Sequence, residues 1–300
     1  MRWLELSARV DSSEADVVAE VMRRFGYGGV AIEEEVVWGH GEQPFPSQER
    51  QATVKIFIPV DNYLPRKRLE LAEALACSVP QIPIELVHCE IDEQEWETAW
   101  RKHYKTLRVG NRLIIKPAWE DYEAMAGQVV IEIDPGMAFG TGQHATTRLC
   151  LLAFETYLRP GMTVLDLGTG SGILAIAATK LGASSVLALD INPAVVVIAR
   201  SNVEANGVAG VVTVEQGTLP QGTKGKIFDL VAANITADVI KELSHPLSKC
   251  LEPKSILIAG GFTEERLEEV VERLDQVGMK TMEVLAEEQW RTVVAQAEAG

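Results

Sequence analysis

From Thr163 onward the chain alternates short apolar runs with amphipathic ones, and this alternation limits the fold more than any other feature. "TVLDLG", "SVLALD", "VVTVE", "FDLVAAN" and "SILIAGG" read as strands. "GILAIAATKLG", "PAVVVIARSNVEAN", "TADVIKELSHPLSKCL" and "TEERLEEVVERLDQVG" read as the helices among them. Strands that are apolar on both faces and joined through helices predict a doubly wound parallel sheet. The chain closes with "MKTMEVLAEEQ" and "WRTVVAQA", two strand candidates with no helix between them. So short a link permits only an antiparallel pair. The expected class is α/β, with an antiparallel last strand that the dinucleotide-binding fold lacks.

Residues 1–91 follow a different order: strand, helix, strand, strand, helix, strand. "RWLELSARV" alternates, and in the helix after it Val17, Val18, Val21, Met22 and Phe25 share one face. The order predicts a small ferredoxin-like α+β domain. RNA-recognition domains share it, but "QATVKIFIPV" lacks the aromatic pattern they stack bases on, so a protein-recognition role is expected. "DEQEWETAWRKHYK" over 92–105 reads as a connecting helix, with Trp96 and Trp100 on one side and basic Arg101, Lys102, Lys105 and Arg108 at its end. The remaining 106–300 is expected to form one catalytic domain.

At 300 residues and 47% hydrophobic content, the chain can bury the cores of two domains. Its formal charge of −15, spread along the sequence, disfavours a nucleic-acid backbone and favours a basic protein partner. No apolar run reaches membrane-spanning length and "MRWLELSARV" is no signal peptide, so a cytoplasmic protein, monomeric and off the membrane, is expected. The four cysteines (77, 89, 150 and 250) show no C-x-x-C spacing and are expected as packed, reduced thiols. The histidines lack metal-ligand spacing, and no metal is expected.

"VLDLGTGSGILA" places Gly168, Gly170 and Gly172 between a strand and a helix, where glycine permits a tight turn and a close ligand. The nicotinamide fingerprint fails because Ile173 stands at its third position, and no Gly-Lys-Ser/Thr makes a phosphate loop. Asp190 ends the next strand, where an acidic side chain meets two ribose hydroxyls. Asp166 sits where a carboxylate receives a ligand ammonium. Helix capping is the competing reading of both. The set suits an amino-acid nucleoside without phosphates. "FDLVAANITADVI" ends a strand on Asn234, a residue strand interiors avoid. By itself that is a turn residue or helix N-cap; at a strand end facing the crevice it is a binding residue.

Together these features resemble class I S-adenosylmethionine-dependent methyltransferases. With "DPGMAFGTGQHATTRLCL" (134–151) and "NITA" (234–237) in one chain, the sequence resembles the PrmA family, bacterial enzymes that methylate the eleventh large-subunit ribosomal protein. The likeness covers essentially the whole chain. It implies S-adenosyl-L-methionine as cofactor, contacts from Thr147, Gly168, Asp190 and Asn234, and a loop carrying Phe139 and Gly140 over the cofactor. Phe139 reads equally well as a buried turn aromatic, whereas His144 is expected to hydrogen-bond locally rather than to act in catalysis. The substrate implied is an amine: lysine side chains and the N-terminal amine of that ribosomal protein, methylated up to three times. The lack of an N-P-P-Y stacking motif weakens a nucleic-acid substrate, though another protein or a small amine stays open. A non-catalytic cofactor-binding protein is the third reading.

Overall fold

The computed structural model describes residues 2–23, 25–26, 30–38, 48–60, 64–82, 84–92, 105–134 and 141–298. Most of the expected 92–105 connector, with Trp96, Trp100, Arg101 and Lys102, lies outside them, as do Phe139 and Gly140. The chain divides into two compact units, Met1–Tyr104 and Lys105–Gly300.

In the first unit β1 (Arg2–Asp11), α1 (Ala15–Arg23), β2 (Ala31–Trp38), β3 (Gln48–Pro59), α2 (Leu64–Ser78) and β4 (Glu85–Asp92) follow one another. The sheet order is β2-β3-β1-β4, with every neighbouring pair antiparallel. Alternation decides which face is buried: Leu4, Leu6, Ala8 and Val10 of β1 join Val54, Ile56 and Ile58 of β3 beneath Val18, Val21 and Met22 of α1 and Leu71 and Leu75 of α2. Val17 departs from the expected helix face and is 45% exposed, because the buried stripe centres on positions 18 to 22. Cys77 and Cys89 are also exposed, so only Cys150 and Cys250 are packed as expected.

The second unit opens with three short strands that the sequence analysis did not assign: β5 (Leu107–Val109), β6 (Leu113–Pro117) and β7 (Val129–Ile133). β5 and β6 form a hairpin, and β7 runs parallel to β6. Glu155, on α3 (Ala145–Tyr157), accepts from the amides of Asn111, Arg112 and Leu113 at 2.8, 2.7 and 3.1 Å, fixing the hairpin against that helix.

The large sheet combines β8 (Thr163–Leu167), β9 (Ser185–Asp190), β10 (Val212–Gln216), β11 (Phe228–Asn234), β12 (Leu251–Thr263), β13 (Met279–Glu287) and β14 (Trp290–Ala297), in the order β10-β9-β8-β11-β12-β14-β13. Five strands are parallel, and β14 is antiparallel to both its neighbours. Patterning explains why the last strand lies inside: Val293, Val294 and Ala295 of β14 are fully buried, whereas β13, at the edge, is largely exposed along its length. α4 (Ile173–Lys180) and α5 (Pro193–Ala205) join α3 on one face of the sheet. α6 (Ala237–Lys249) and α7 (Leu267–Asp275) cover the other. Among the described residues no helix is long and apolar enough to cross a membrane.

Candidate active site

The parallel strands β8, β9 and β11 deliver Asp166, Asp190 and Asn234 to the same end of the sheet. After β8 the chain turns through Gly168, Gly170 and Gly172 at φ +75°, +56° and +86°. Gly168 permits close approach as well as the turn: a Cβ there would lie 2.4 Å from Ile235 Cγ2. The amides of Gly168 and Thr169 donate to the carbonyl of Leu189 at 2.8 and 2.9 Å, locking the turn to β9. Asp190 accepts from the amides of Gly170 at 3.1 Å and Asn192 at 3.0 Å, so its carboxylate faces the turn.

Asp166 is fully buried beneath that turn. Its Oδ2 accepts from Thr169 Oγ1 at 2.6 Å and from the Ala175 amide at 3.1 Å. Among the described residues its Oδ1 is buried with no hydrogen-bond partner. Burial pushes the carboxyl up to about 6; the bonds from Thr169 and Ala175 oppose that rise and the charge of Asp190 adds to it.

Asn234 closes the other side. Its Nδ2 donates to Thr147 Oγ1 at 3.4 Å, and its Oδ1 is buried without a partner among the described residues. Thr147 is itself buried in the first turn of α3, a helix capped by His144, whose Nδ1 accepts from the Thr146 amide at 3.3 Å. The His144 ring also meets Trp290 edge-on, with centroids 4.6 Å apart, so the local hydrogen-bonding reading of His144 holds. Arg148, one turn along the helix, forms an ion pair with Glu287 of β13.

The backbone after Asn234 is seated by two glycines of β12. The Ile235 amide donates to the Gly260 carbonyl at 3.1 Å, and Gly261, at φ +94°, leaves room where a Cβ would stand 2.4 Å from the Ile235 carbonyl oxygen. A Cβ on Gly260 would meet Thr292 Oγ1 at 2.7 Å and Cys150 Sγ at 3.0 Å. Burial pushes the Cys150 thiol up to about 12; the neighbouring Thr292 hydroxyl opposes this and the charge of Asp166 adds to it. It is a neutral packing group rather than a nucleophile.

A family model described as "Ribosomal protein L11 methyltransferase (PrmA)" matches residues 2–298. The chain belongs to this family. The "Ribosomal protein L11 methyltransferase" of Pelotomaculum thermopropionicum is 42% identical over 309 residues, covering 100% of both chains. That of Alkaliphilus oremlandii is 36% identical over 310 residues, covering 98% of each. Among solved structures, ribosomal protein L11 methylase from Lactobacillus delbrueckii subsp. bulgaricus gives a TM-score of 0.61 at 34% identity, over 65% of this chain and 100% of that one. Membership settles the fold as that of the class I methyltransferases, with its antiparallel last strand.

Within this L11 methyltransferase fold, the structure adds residues that sequence analysis did not single out. The paired glycines at 260 and 261 carried a signal, since glycine inside a strand pattern marks a bulge. Thr292 and Cys150 carried none, because the insertion of β14 beside β12 brings the one to Gly260 and the packing of α3 on the sheet brings the other.

The elevated Asp166 carboxyl makes stability depend on pH. Between the ordinary value of 3.8 and about 6, the folded protein holds a proton that the unfolded chain releases. This stabilisation is present at low pH and lost as pH rises through about 6. Asp166→Asn keeps acceptors for Thr169 and Ala175 without a buried charge. It should stabilise the protein at pH 8 by up to roughly 3 kcal/mol, and by clearly less at pH 5. Denaturant melts at both values check this, and an equal gain at each would show that Asp166 titrates normally.

Proposed function

We propose that this protein transfers methyl groups from S-adenosyl-L-methionine to amino groups of ribosomal protein L11, at lysine side chains and the N-terminal amine, up to the trimethylated state. One observation carries the reading: at the end of β11 the neutral amide of Asn234 is tied through Nδ2 to Thr147 and holds a buried, unmatched acceptor in Oδ1. Family membership supports it, and the net charge of −15 suits a basic protein substrate.

The residues present fit the cofactor. Gly168 and Gly170 put bare backbone into the turn, Asp166 Oδ1 is an acceptor without a partner among the described residues and suits an ammonium, and Asp190 has carboxylate lone pairs left for two ribose hydroxyls. Thr147 and Asn234, with Phe139 and Gly140, complete the set we assign to it. When bound, S-adenosylmethionine supplies an electrophilic methyl group on a cationic sulfonium.

The protein must present a neutral amine to that methyl. A free lysine has a pKa of about 10.4, so holding it neutral at pH 7 costs roughly 4 to 5 kcal/mol. Asn234 Oδ1 accepts an N–H and thereby aims the nitrogen lone pair, without the negative charge that would hold an ammonium as an ion pair. Asp166 is buried beneath the turn and Asp190 is engaged with turn amides, so we assign neither as base. Water takes the proton, and rate comes mainly from alignment.

Labelled S-adenosylmethionine offered with L11, with RNA and with small amines tests the proposal. Label is expected in L11; label in RNA or a small amine instead would move the substrate, and no transfer to any would overturn the activity.

Asp190→Ala should weaken cofactor binding, since each hydrogen bond to a carboxylate contributes about 1.5 to 3 kcal/mol. Calorimetry on the folded variant checks this, and unchanged affinity would leave Asp190 only its role of holding the turn.

We assign substrate selection to the first unit. A fragment spanning Lys105–Gly300, one compact unit, should keep cofactor affinity and lose methylation of intact L11. Turnover equal to that of the full chain would refute the division of labour.

A further inference from the structure

Among the described residues strand β7 has only β6 beside it, yet its outer edge is not left to water. Two asparagines one turn apart on α5 and its C-cap, Asn202 and Asn206, line that edge. Asn206 accepts from the Glu132 amide at 3.0 Å through Oδ1 and donates through Nδ2 to the Glu132 carbonyl at 2.6 Å. Asn202 repeats the pattern two residues on, accepting from the Asp134 amide at 3.0 Å and donating to the Asp134 carbonyl at 3.3 Å. A side-chain amide carries one donor and one acceptor side, as a peptide does, so the pair imitates a neighbouring strand.

The two differ in where the third bond goes. Asn206 Nδ2 returns to its own helix, to the Asn202 carbonyl at 2.8 Å. Asn202 Nδ2 reaches instead to the carbonyl of Ser171, at 2.8 Å, inside the glycine turn. Asn202 is 2% exposed and Ser171 fully buried, so neither bond partner can be replaced by water without rearrangement. The same amide therefore fixes the turn between β8 and α4 and the end of β7. Asp134 is also the residue from which the chain leads to Phe139 and Gly140.

We propose that Asn202 is a positioning residue for the cofactor site: by tying Ser171 to Asp134 it holds the glycine turn in the shape that receives the ligand. This rests on the reading of S-adenosylmethionine binding given above. Asn206 has the same number of bonds but none to the turn, and serves as a matched control.

The test compares Asn202→Asp, Asn202→Ala and Asn206→Ala in the full-length protein, by calorimetry with S-adenosylmethionine and by thermal melting without it. Asn202→Asp keeps shape and the acceptor for the Asp134 amide, but places a carboxylate oxygen against the Ser171 and Asp134 carbonyls. Both Asn202 variants should bind the cofactor about tenfold or more weakly, with Asn206→Ala within about threefold of wild type, at comparable losses in Tm. Similar affinity losses at the two positions, or melting losses at Asn202 with affinity unchanged, would overturn the proposal. So would failure of both Asn202 variants to fold while Asn206→Ala folds, since that assigns Asn202 to stability alone. Wild-type protein that does not bind S-adenosylmethionine would instead remove the underlying reading of the site.

Discussion

Asn234→Ala is expected to slow the first methyl transfer by about a hundredfold while changing S-adenosylmethionine affinity far less, because alignment is realised mainly in the transition state. Among the described residues the buried Oδ1 has no partner, so the only side-chain bond of the fold that the variant loses there is the one from Nδ2 to Thr147; on the proposed reading, the other bond left unmade is to the substrate. Chemistry then orders the three additions. A neutral primary amine has two N–H groups to offer Asn234, a monomethylamine one and a dimethylamine none. The variant should therefore be slowed most on the first two methyls and least on the third. Mass spectra of single-turnover products from unmodified, monomethylated and dimethylated peptides check this, and equal slowing at all three would mean that Asn234 does not act by accepting an N–H. Asn234→Asp should also be slow near pH 7, since a carboxylate holds the amine as ammonium, and should recover more steeply than wild type as pH rises. An α-amine, with a pKa of about 8, should suffer less than a lysine. Wild-type rates for Asn234→Asp at pH 7 on both amines would refute the neutral-acceptor account.

Gly261→Ala is expected to damage the site from behind. At φ +94° an alanine costs about 1 to 2 kcal/mol in backbone strain. Its Cβ would stand 2.4 Å from the Ile235 carbonyl oxygen and 2.9 Å from the Ile235 nitrogen, both backbone atoms that no rotamer change can move aside. Overpacking of this kind adds roughly 1 to 3 kcal/mol, so a total loss of about 2 to 5 kcal/mol is expected. Relief requires the Asn234–Ile235 segment to shift, and Ile235 Cγ2 already fills the space over Gly168. Methyl transfer should fall along with stability. Denaturant melts together with single-turnover rates measure both, and a variant as stable and as active as wild type would show that the β12 bulge yields freely.

Legibility along the chain followed the range of the interactions. The strand–helix alternation after Thr163 predicted the parallel sheet, because apolar period and glycine punctuation act within a few residues. The same signals failed over 105–134, where β5 has three residues and β6 and β7 five each, too short to build a period. Val17 was misjudged for a related reason: a residue at the margin of a helical stripe is buried or exposed according to what packs there.

In the site, the sequence by itself determined the glycine turn, Asp190 at the end of β9 and Asn234 at the end of β11, since strand ends and tight turns are local events. Tertiary structure decided how each is used. Only packing shows that Asp166 lies under the turn and that β14 enters between β12 and β13 rather than extending the edge. The bond from Asn234 to Thr147 spans 87 positions, and that from Asn202 to Asp134 spans 68. Partners so far apart leave no mark in either segment, because an asparagine that caps, one that mimics a strand and one that bonds a distant helix share one side chain. They differ only in what the fold places beside it.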